Sequence, residues 1–324
     1  MVLALPDKWI WDSWYAHDGA RWHCFHLQAD RALGDPELRH WSMSQGHAVS
    51  TDLTTWEHLG TGFAPAQEPA WDDFTTWTGS VVCDDDAIWH LFYTGTCRAE
   101  KGMYQRVGHA TSIDLHNWCR VGDGLCLDLT GPNAAAYEAR HQVGFWPDRA
   151  MRDPFVMRDP DGPGWLMVFT ARAPGIAEAN AGGAIGLATS PDLMTWTLEP
   201  PVFTGAFGQL EVPQIFHHAG RWYCLFCTAE NHFSRAQATA TPGGPVTGSH
   251  YLIGDGPRGP WRVAPGAFLD GGLPCPRYAA RIVETADGLN IIGFADRPQG
   301  EFVGELTDPD PVIAGDDGLL RVLR

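Results

Sequence analysis

A short phrase, Gly-x-Ala-x-Ser-x-Asp-Leu-x-x-Trp, occurs three times in this chain: from Gly46 to Trp56, from Gly108 to Trp118 and from Gly186 to Trp196. A worn fourth copy from Gly254 to Trp261 keeps turn residues and the closing tryptophan. Each copy reads as a strand, a tight Ser/Asp turn and a second strand opened by tryptophan. A phrase that returns at this spacing means that one supersecondary unit is built several times over. Neighbouring units must then cover one another's apolar faces.

Aromatic, alternating runs precede the copies: Trp22-His23-Cys24-Phe25-His26-Leu27, Ile88-Trp89-His90-Leu91-Phe92-Tyr93, Trp165-Leu166-Met167-Val168-Phe169 and Trp222-Tyr223-Cys224-Leu225-Phe226. Three of them follow a first strand and a hairpin, at Ser80-Val81-Val82-Cys83, Phe155-Val156-Met157 and Gln214-Ile215-Phe216. Residues 277–283 and 289–294 supply another hairpin, with 302–306 and 319–323 as its outer strands. The expected fold is all-β: a five-bladed β-propeller of four-stranded antiparallel blades around a central pocket. One short helix is expected over 134–140, within an insertion spanning 129–146. No linker or composition break divides the chain, so residues 1–324 read as a single propeller domain.

A formal net charge of -17 repels nucleic acid and anionic membrane surfaces, and points to a neutral or cationic small substrate. The opening residues lack a basic segment followed by a long apolar one, which leads to the expectation of a cytoplasmic protein without a secretory leader. The 8 cysteines are spread along the chain and read as reduced, mostly buried thiols.

Innermost strands of different blades converge on the axis of a propeller, so acidic residues near their starts meet in one pocket. Asp12 lies between tryptophans in Trp9-Ile10-Trp11-Asp12-Ser13-Trp14; Asp153 lies in Met151-Arg152-Asp153-Pro154 and Glu211 in Leu210-Glu211-Val212-Pro213. A solvated surface carboxylate rarely keeps three indoles as neighbours, and indoles also form platforms on which sugars stack. Paired carboxyl groups are what glycoside hydrolysis requires: one protonates the leaving oxygen, while the other attacks the anomeric carbon or activates water.

These motifs resemble the five-bladed fructosyl enzymes of glycoside hydrolase families 32 and 68. Trp11-Asp12-Ser13-Trp14 is similar to the family 68 nucleophile motif, and Arg152-Asp153-Pro154 to the signature of both families. His40-Trp41 through Ser50, with Asp52-Leu53 and Trp56, looks like the first blade of family 32. The resemblance implies Asp12 as nucleophile, Glu211 as general acid and base, and Asp153, beside Arg152, as transition-state stabiliser. It also implies fructose contacts from Trp77 and Thr78, pocket positions for Trp11, Gln28 and Trp41, and a Tyr278 close to the catalytic pair. Glu211 is then expected to hold its proton near neutral pH, helped by apolar neighbours, and Arg152 to keep Asp153 ionised.

Some features depart from that pattern. Val212 follows the acid residue where family 68 commonly has arginine and family 32 cysteine, and Thr228-Ala229-Glu230 stands where family 68 transferases place an arginine. The β-sandwich of family 32 is not expected after the fifth blade. Cys224 and Cys227 have metal-site spacing but face opposite sides of a strand, so they read as core residues. His47 and His109 read as packing residues, and Asp84-Asp85-Asp86 as a hairpin turn rather than a calcium site. No metal or cofactor is called for. The sequence therefore leads to a retaining β-fructofuranosidase acting on sucrose or a short fructoside, with a small carbohydrate as substrate and neither nucleic acid nor membrane as partner. A fructosyltransferase, an inverting pentosidase of the family 43 type and a non-catalytic sugar-binding propeller are the alternatives.

Overall fold

A computed structural model describes residues 3–140 and 148–324. Its strands fall into five antiparallel sheets in chain order. The first holds β1 (Lys8–His17), β2 (Trp22–Asp30), β3 (Ser44–Ser50) and β4 (Glu57–Phe63). The second holds β5 (Thr75–Cys83), β6 (Trp89–Thr96), β7 (Arg106–Ser112) and β8 (Cys119–Leu127); the third holds β9 (Arg152–Arg158), β10 (Trp165–Arg172), β11 (Gly183–Ser190) and β12 (Thr197–Thr204). The fourth contains β13 (Glu211–His218), β14 (Arg221–Thr228), β15 (Thr247–Gly254), β16 (Trp261–Val263) and the short β17 (Asp270–Gly272), which pairs with the far end of β15. The fifth contains β18 (Tyr278–Thr285), β19 (Gly288–Ala295), β20 (Glu305–Leu306), β21 (Asp310–Ala314) and β22 (Leu320–Val322). This is the expected five-bladed propeller.

The core lies between blades rather than within them. Phe92 of blade two packs with Val156, Met167 and Phe169 of blade three, while Leu166 and Ile185 of blade three pack with Ile215, Cys224 and Phe226 of blade four. Blade five meets blade one through Ala279, Phe294 and Leu306 against Ile10 and Trp11. This arrangement explains why every second strand is aromatic and almost continuously apolar: both of its faces are covered.

The repeated phrase is accounted for residue by residue. Its glycines are required because an aromatic ring of the paired strand lies across each: a Cβ on Gly46, Gly108 or Gly186 would fall 2.2 Å from the ring of His26, Tyr93 or Phe169. The serine hydroxyl accepts the Asp and Leu amides (Asp52 N 3.1 Å and Leu53 N 2.9 Å from Ser50 Oγ), and the Asp carboxylate accepts the next two (Thr54 N 2.8 Å, Thr55 N 2.6 Å). The buried leucine adopts φ of 61°, 64° and 65° in the three copies.

Four expectations need correction. In the fourth copy Gly254 pairs with Trp222 as Ser50 pairs with Trp22, so it stands at the serine position and His250 occupies the glycine position. The short helix expected over 134–140 is a 3₁₀ turn at Pro132–Ala136, and residues 141–147 of that insertion lie outside the described residues. The one α-helix among the described residues, Arg235–Ala240, was not anticipated; Ser234 caps it. In blade five the third strand is β21, whereas only Glu305–Leu306 of the expected 302–306 strand pairs with β19. Prolines at 309 and 311 hide that strand from a periodicity reading.

The histidines expected to pack do so. His23 Nδ1 and His47 Nε2 are 3.0 Å apart beside Phe25, and His90 and His109 repeat the pair at 2.9 Å beside Phe92. Asp84 accepts the amides of Asp86 and Ile88 and faces His90 Nε2, the arrangement of a hairpin turn.

Candidate active site

Each innermost strand breaks its register once, at a corresponding position opposite its second strand. β1 shifts between Trp11 and Ser13, β5 between Trp77 and Gly79, β9 between Arg152 and Phe155, β13 between Glu211 and Gln214, and β18 between Tyr278 and Arg281. A β-bulge inserts one unpaired residue and turns the strand, which re-aims the side chains around it. Asp12 therefore lies within β1 at a bulge, rather than at the start of the strand as expected. At three of the five bulges a non-glycine residue has positive φ: Asp153 at 58°, Val212 at 53° and Ala279 at 46°. For a β-branched residue such as Val212 this is strained backbone, of the kind that persists where surrounding contacts over-determine it.

The bulges bring Asp12, Asp153 and Glu211 to the walls of one cavity of about 580 Å³. Thr78 Oγ1 donates to Asp12 Oδ2. Asp153 Oδ2 accepts the Thr170 hydroxyl (2.8 Å) and the Val212 amide (3.1 Å), and its own amide donates to Thr94 Oγ1 (2.8 Å). Glu211 is gripped from both sides, by Arg152 Nη2 at 2.7 Å and by the Tyr278 hydroxyl at 2.6 Å. Arg152 is steadied in turn by Gln209 Oε1 (2.8 Å), Gln105 Oε1 (3.4 Å) and Asp148 (3.7 Å).

This wiring reverses the expected protonation. Burial raises the Asp12 carboxyl to about 7; Asp153 and Glu211 add to the rise, while Thr78 and Arg281 oppose it. Burial also pushes Glu211 upward, but Arg152, Tyr278 and His232 outweigh it and hold the carboxyl below its ordinary value. Arg152 lies closer to Glu211 than to Asp153, which its Nε approaches only to 3.6 Å, and burial leaves Asp153 above its ordinary value. The donors around the two carboxyl groups thus favour a proton on Asp12 over one on Glu211.

The remaining sequence-predicted residues divide. Trp11, Trp77, Thr78, Arg152 and Tyr278 line the cavity. Trp77 is fixed by its Nε1, which donates to the His40 carbonyl at 2.8 Å. Trp41 lies behind that wall, stacked on Phe74 at 5.3 Å and tilted against Trp77. Gln28 is away from the cavity as well. It is spent within blade one, donating to Ser44 Oγ (3.3 Å) and Thr61 Oγ1 (3.2 Å) and accepting from His58, while its neighbour Leu27 faces the cavity.

Sequence reasoning missed Gln105, Gln209, Arg39, His40, His232, Asp296 and Arg297, which also line the cavity. Gln209 stands two residues before Glu211, a spacing that places both on one face of an extended run. Arg39 and His40 directly precede Trp41, whereas nothing local marks Gln105 or His232. Cys227 pairs with Glu211 across the sheet, its Sγ 3.6 Å from the Glu211 carbonyl, and Cys224 packs into the core between blades three and four.

The profile of the glycosyl hydrolases family 32 N-terminal domain matches residues 12–255. Raffinose invertase of Escherichia coli is 28% identical over 230 residues, covering 69% of this chain and 42% of that protein. Sucrose-6-phosphate hydrolase of Escherichia coli is 28% identical over 234 residues, with the same coverage of each. The chain thus spans about two fifths of the length of these curated relatives. Among solved structures, inulosucrase from Halalkalicoccus jeotgali bound to kestose superposes with a TM-score of 0.77 at 22% identity, over 98% of this chain and 87% of that one. The catalytic domain of Microbacterium saccharophilum K-1 beta-fructofuranosidase gives 0.71 at 20%, over 99% and 83%. At these identities the superpositions bear on the fold alone.

Proposed function

The chain belongs to glycosyl hydrolases family 32, and from that premise we propose that it is the catalytic part of a retaining β-fructofuranosidase acting on sucrose or a short fructoside. The observation that carries this reading is the pairing of Asp12 with Glu211 across one cavity, each held by its own donors. Relatives named as an invertase and a hydrolase of a phosphorylated sucrose support the substrate class.

In this reading an Asp12 oxygen attacks C2 of the fructosyl unit. The bond from C2 to the leaving oxygen breaks, and that oxygen takes the proton carried by Glu211. Glu211, now anionic, accepts a proton from water as the water attacks C2 and releases Asp12. Asp153 accepts hydrogen bonds from fructose hydroxyls that strengthen as the oxocarbenium character grows. The productive state needs Asp12 ionised and Glu211 protonated, the minor arrangement in the free protein. Arg152 and Tyr278 tune how often it occurs.

Hydrolysis is favoured over transfer by the segment that follows β14. Where an arginine would recognise a second sugar, Glu230 is engaged with the Thr247 hydroxyl. The test is release of free fructose from sucrose, raffinose, inulin and levan, with the first-formed anomer followed by NMR. Retained configuration is expected. An inverted first product would remove Asp12 as nucleophile, oligosaccharide outrunning free fructose at high sucrose would make the enzyme a transferase, and silence on the whole panel would remove the substrate class.

A further inference from the structure

Arg281 takes no part in the steps above, yet it is only 3% exposed. A guanidinium taken out of water is strongly penalised unless its donors and charge are answered. Its Nη1 donates to the carbonyls of Val212 (3.3 Å) and Pro213 (2.9 Å), its Nη2 donates to that of Gly79 (3.4 Å), and its charge centre lies 5.8 Å from the ring of Phe155. A side chain of blade five thus reaches blades two, three and four at the axis, without hydrogen bonding a carboxylate.

The carbonyls it holds belong to the bulges that position the carboxylates. Gly79 follows Thr78, whose hydroxyl bonds Asp12. Val212, strained at φ 53°, has its carbonyl on Arg281 and its amide on Asp153. We propose that Arg281 is a positioning residue for Asp12 and Asp153, pinning both bulges and supplying a buried cation that keeps Asp12 available as an anion. Donors committed to backbone carbonyls do not move when Asp12 gains or loses its charge, so the field they set is in place before the reaction begins. The charged and titratable groups facing Asp12 are Asp153 on β9, Glu211 on β13, Cys227 on β14, Arg281 on β18 and Arg39 from the 3₁₀ turn Pro36–Trp41. Arg281 is the cation among them whose donors are tied to the bulge carbonyls.

The inference rests on the proposed role of Asp12, and its test separates the two. With the proton favouring Asp12 over Glu211, the basic limb of kcat/KM reports Asp12. Arg281→Met should move that limb to higher pH by about one pH unit and lower the plateau at least tenfold, one pH unit being tenfold in population. Arg281→Lys should restore the limb while recovering only part of kcat, since an ammonium cannot bond three carbonyls in a fork. A merely structural loss would lower Tm and rate with the limb unmoved, and that result overturns the proposal. Should Arg281→Met fail to fold, Arg281→Gln, which keeps an amide donor for the carbonyls without the charge, takes its place: a basic limb moved to higher pH supports the proposal, and an unmoved limb overturns it. A ¹³C NMR titration of the Asp12 carboxyl, assigned with Asp12→Asn, reads the same coupling without turnover. If the wild type cleaves no fructoside, the functional reading fails. The NMR comparison still decides on Arg281: a higher midpoint in Arg281→Met supports it, and an unchanged one overturns it.

Discussion

Replacing Tyr278 by phenylalanine removes one hydroxyl, which donates to Glu211 Oε2 at 2.6 Å. A hydrogen bond to a charged group in a buried site contributes about 1.5–3 kcal/mol, and about 1.4 kcal/mol corresponds to one pKa unit, so the Glu211 carboxyl should rise by about one to two. The sign follows from what the hydroxyl does. It stabilises the carboxylate, and its loss leaves Arg152 at 2.7 Å as the main restraint on the proton. With Asp12 raised to about 7 and Glu211 held below its ordinary value, the productive arrangement is the minor one of the singly protonated pair. Tyr278→Phe should enlarge that fraction by about tenfold or more while loosening the side chain it positioned, so the height of the profile mixes two effects and its shape does not. The assay is kcat/KM for fructose release from sucrose between pH 3 and 9. The acidic limb, which follows Glu211, should move upward by about one to two pH units, and the basic limb should stay near 7. An acidic limb that stays in place, or moves down, refutes the assignment of the proton.

Other perturbations follow from the same geometry. Because folding raises the Asp12 carboxyl from 3.8 to about 7, its stabilising contribution is complete below about 3.8 and is lost as pH rises through 7; Asp12→Asn should therefore raise Tm at pH 8, with the gain shrinking toward pH 4 in calorimetric scans. Glu211→Ala should still form the fructosyl-enzyme from an aryl fructoside and be partly rescued by azide, whereas Asp12→Ala should lose at least about 10⁴-fold on every substrate, as read by product analysis. Gln28→Ala should cost about 1–3 kcal/mol in denaturant unfolding and leave KM within about twofold, since its amide serves Ser44, Thr61 and His58 rather than the cavity.

The blades were legible because their signals are local. An alternating aromatic run, a Ser-x-Asp turn and a closing tryptophan are each readable within a dozen residues, and each corresponds to contacts inside one hairpin. Where a signal was interrupted the reading slipped, as at the prolines around β21 and at Gly254, which resembles the repeat's glycine but occupies its serine position. Asp12, Asp153 and Glu211 were legible as residues, and Arg152, Thr78 and Tyr278 as residues near them, but which group bonds which was not. That Arg152 would turn to Glu211, and that Tyr278 from another blade would meet it from the other side, depends on how the blades face one another around the axis. Gln28 and Trp41 mislead for the same reason: their motif places them near the pocket in sequence, while the pleat of β2 turns Leu27 toward the cavity and Trp77 stands in front of Trp41.

The Ser-x-Asp turn satisfies its own amides within six residues, in blades one, two and three alike. A blade copied within a gene therefore arrives with its outer corner already functional, wherever in the ring it lands. Nothing at the axial end is portable in that sense: Glu211 depends on an arginine from one neighbour and a tyrosine from the other. Duplication can multiply such blades freely, but chemistry has to be acquired afterwards, one position at a time, and it stays bound to the order in which the blades stand.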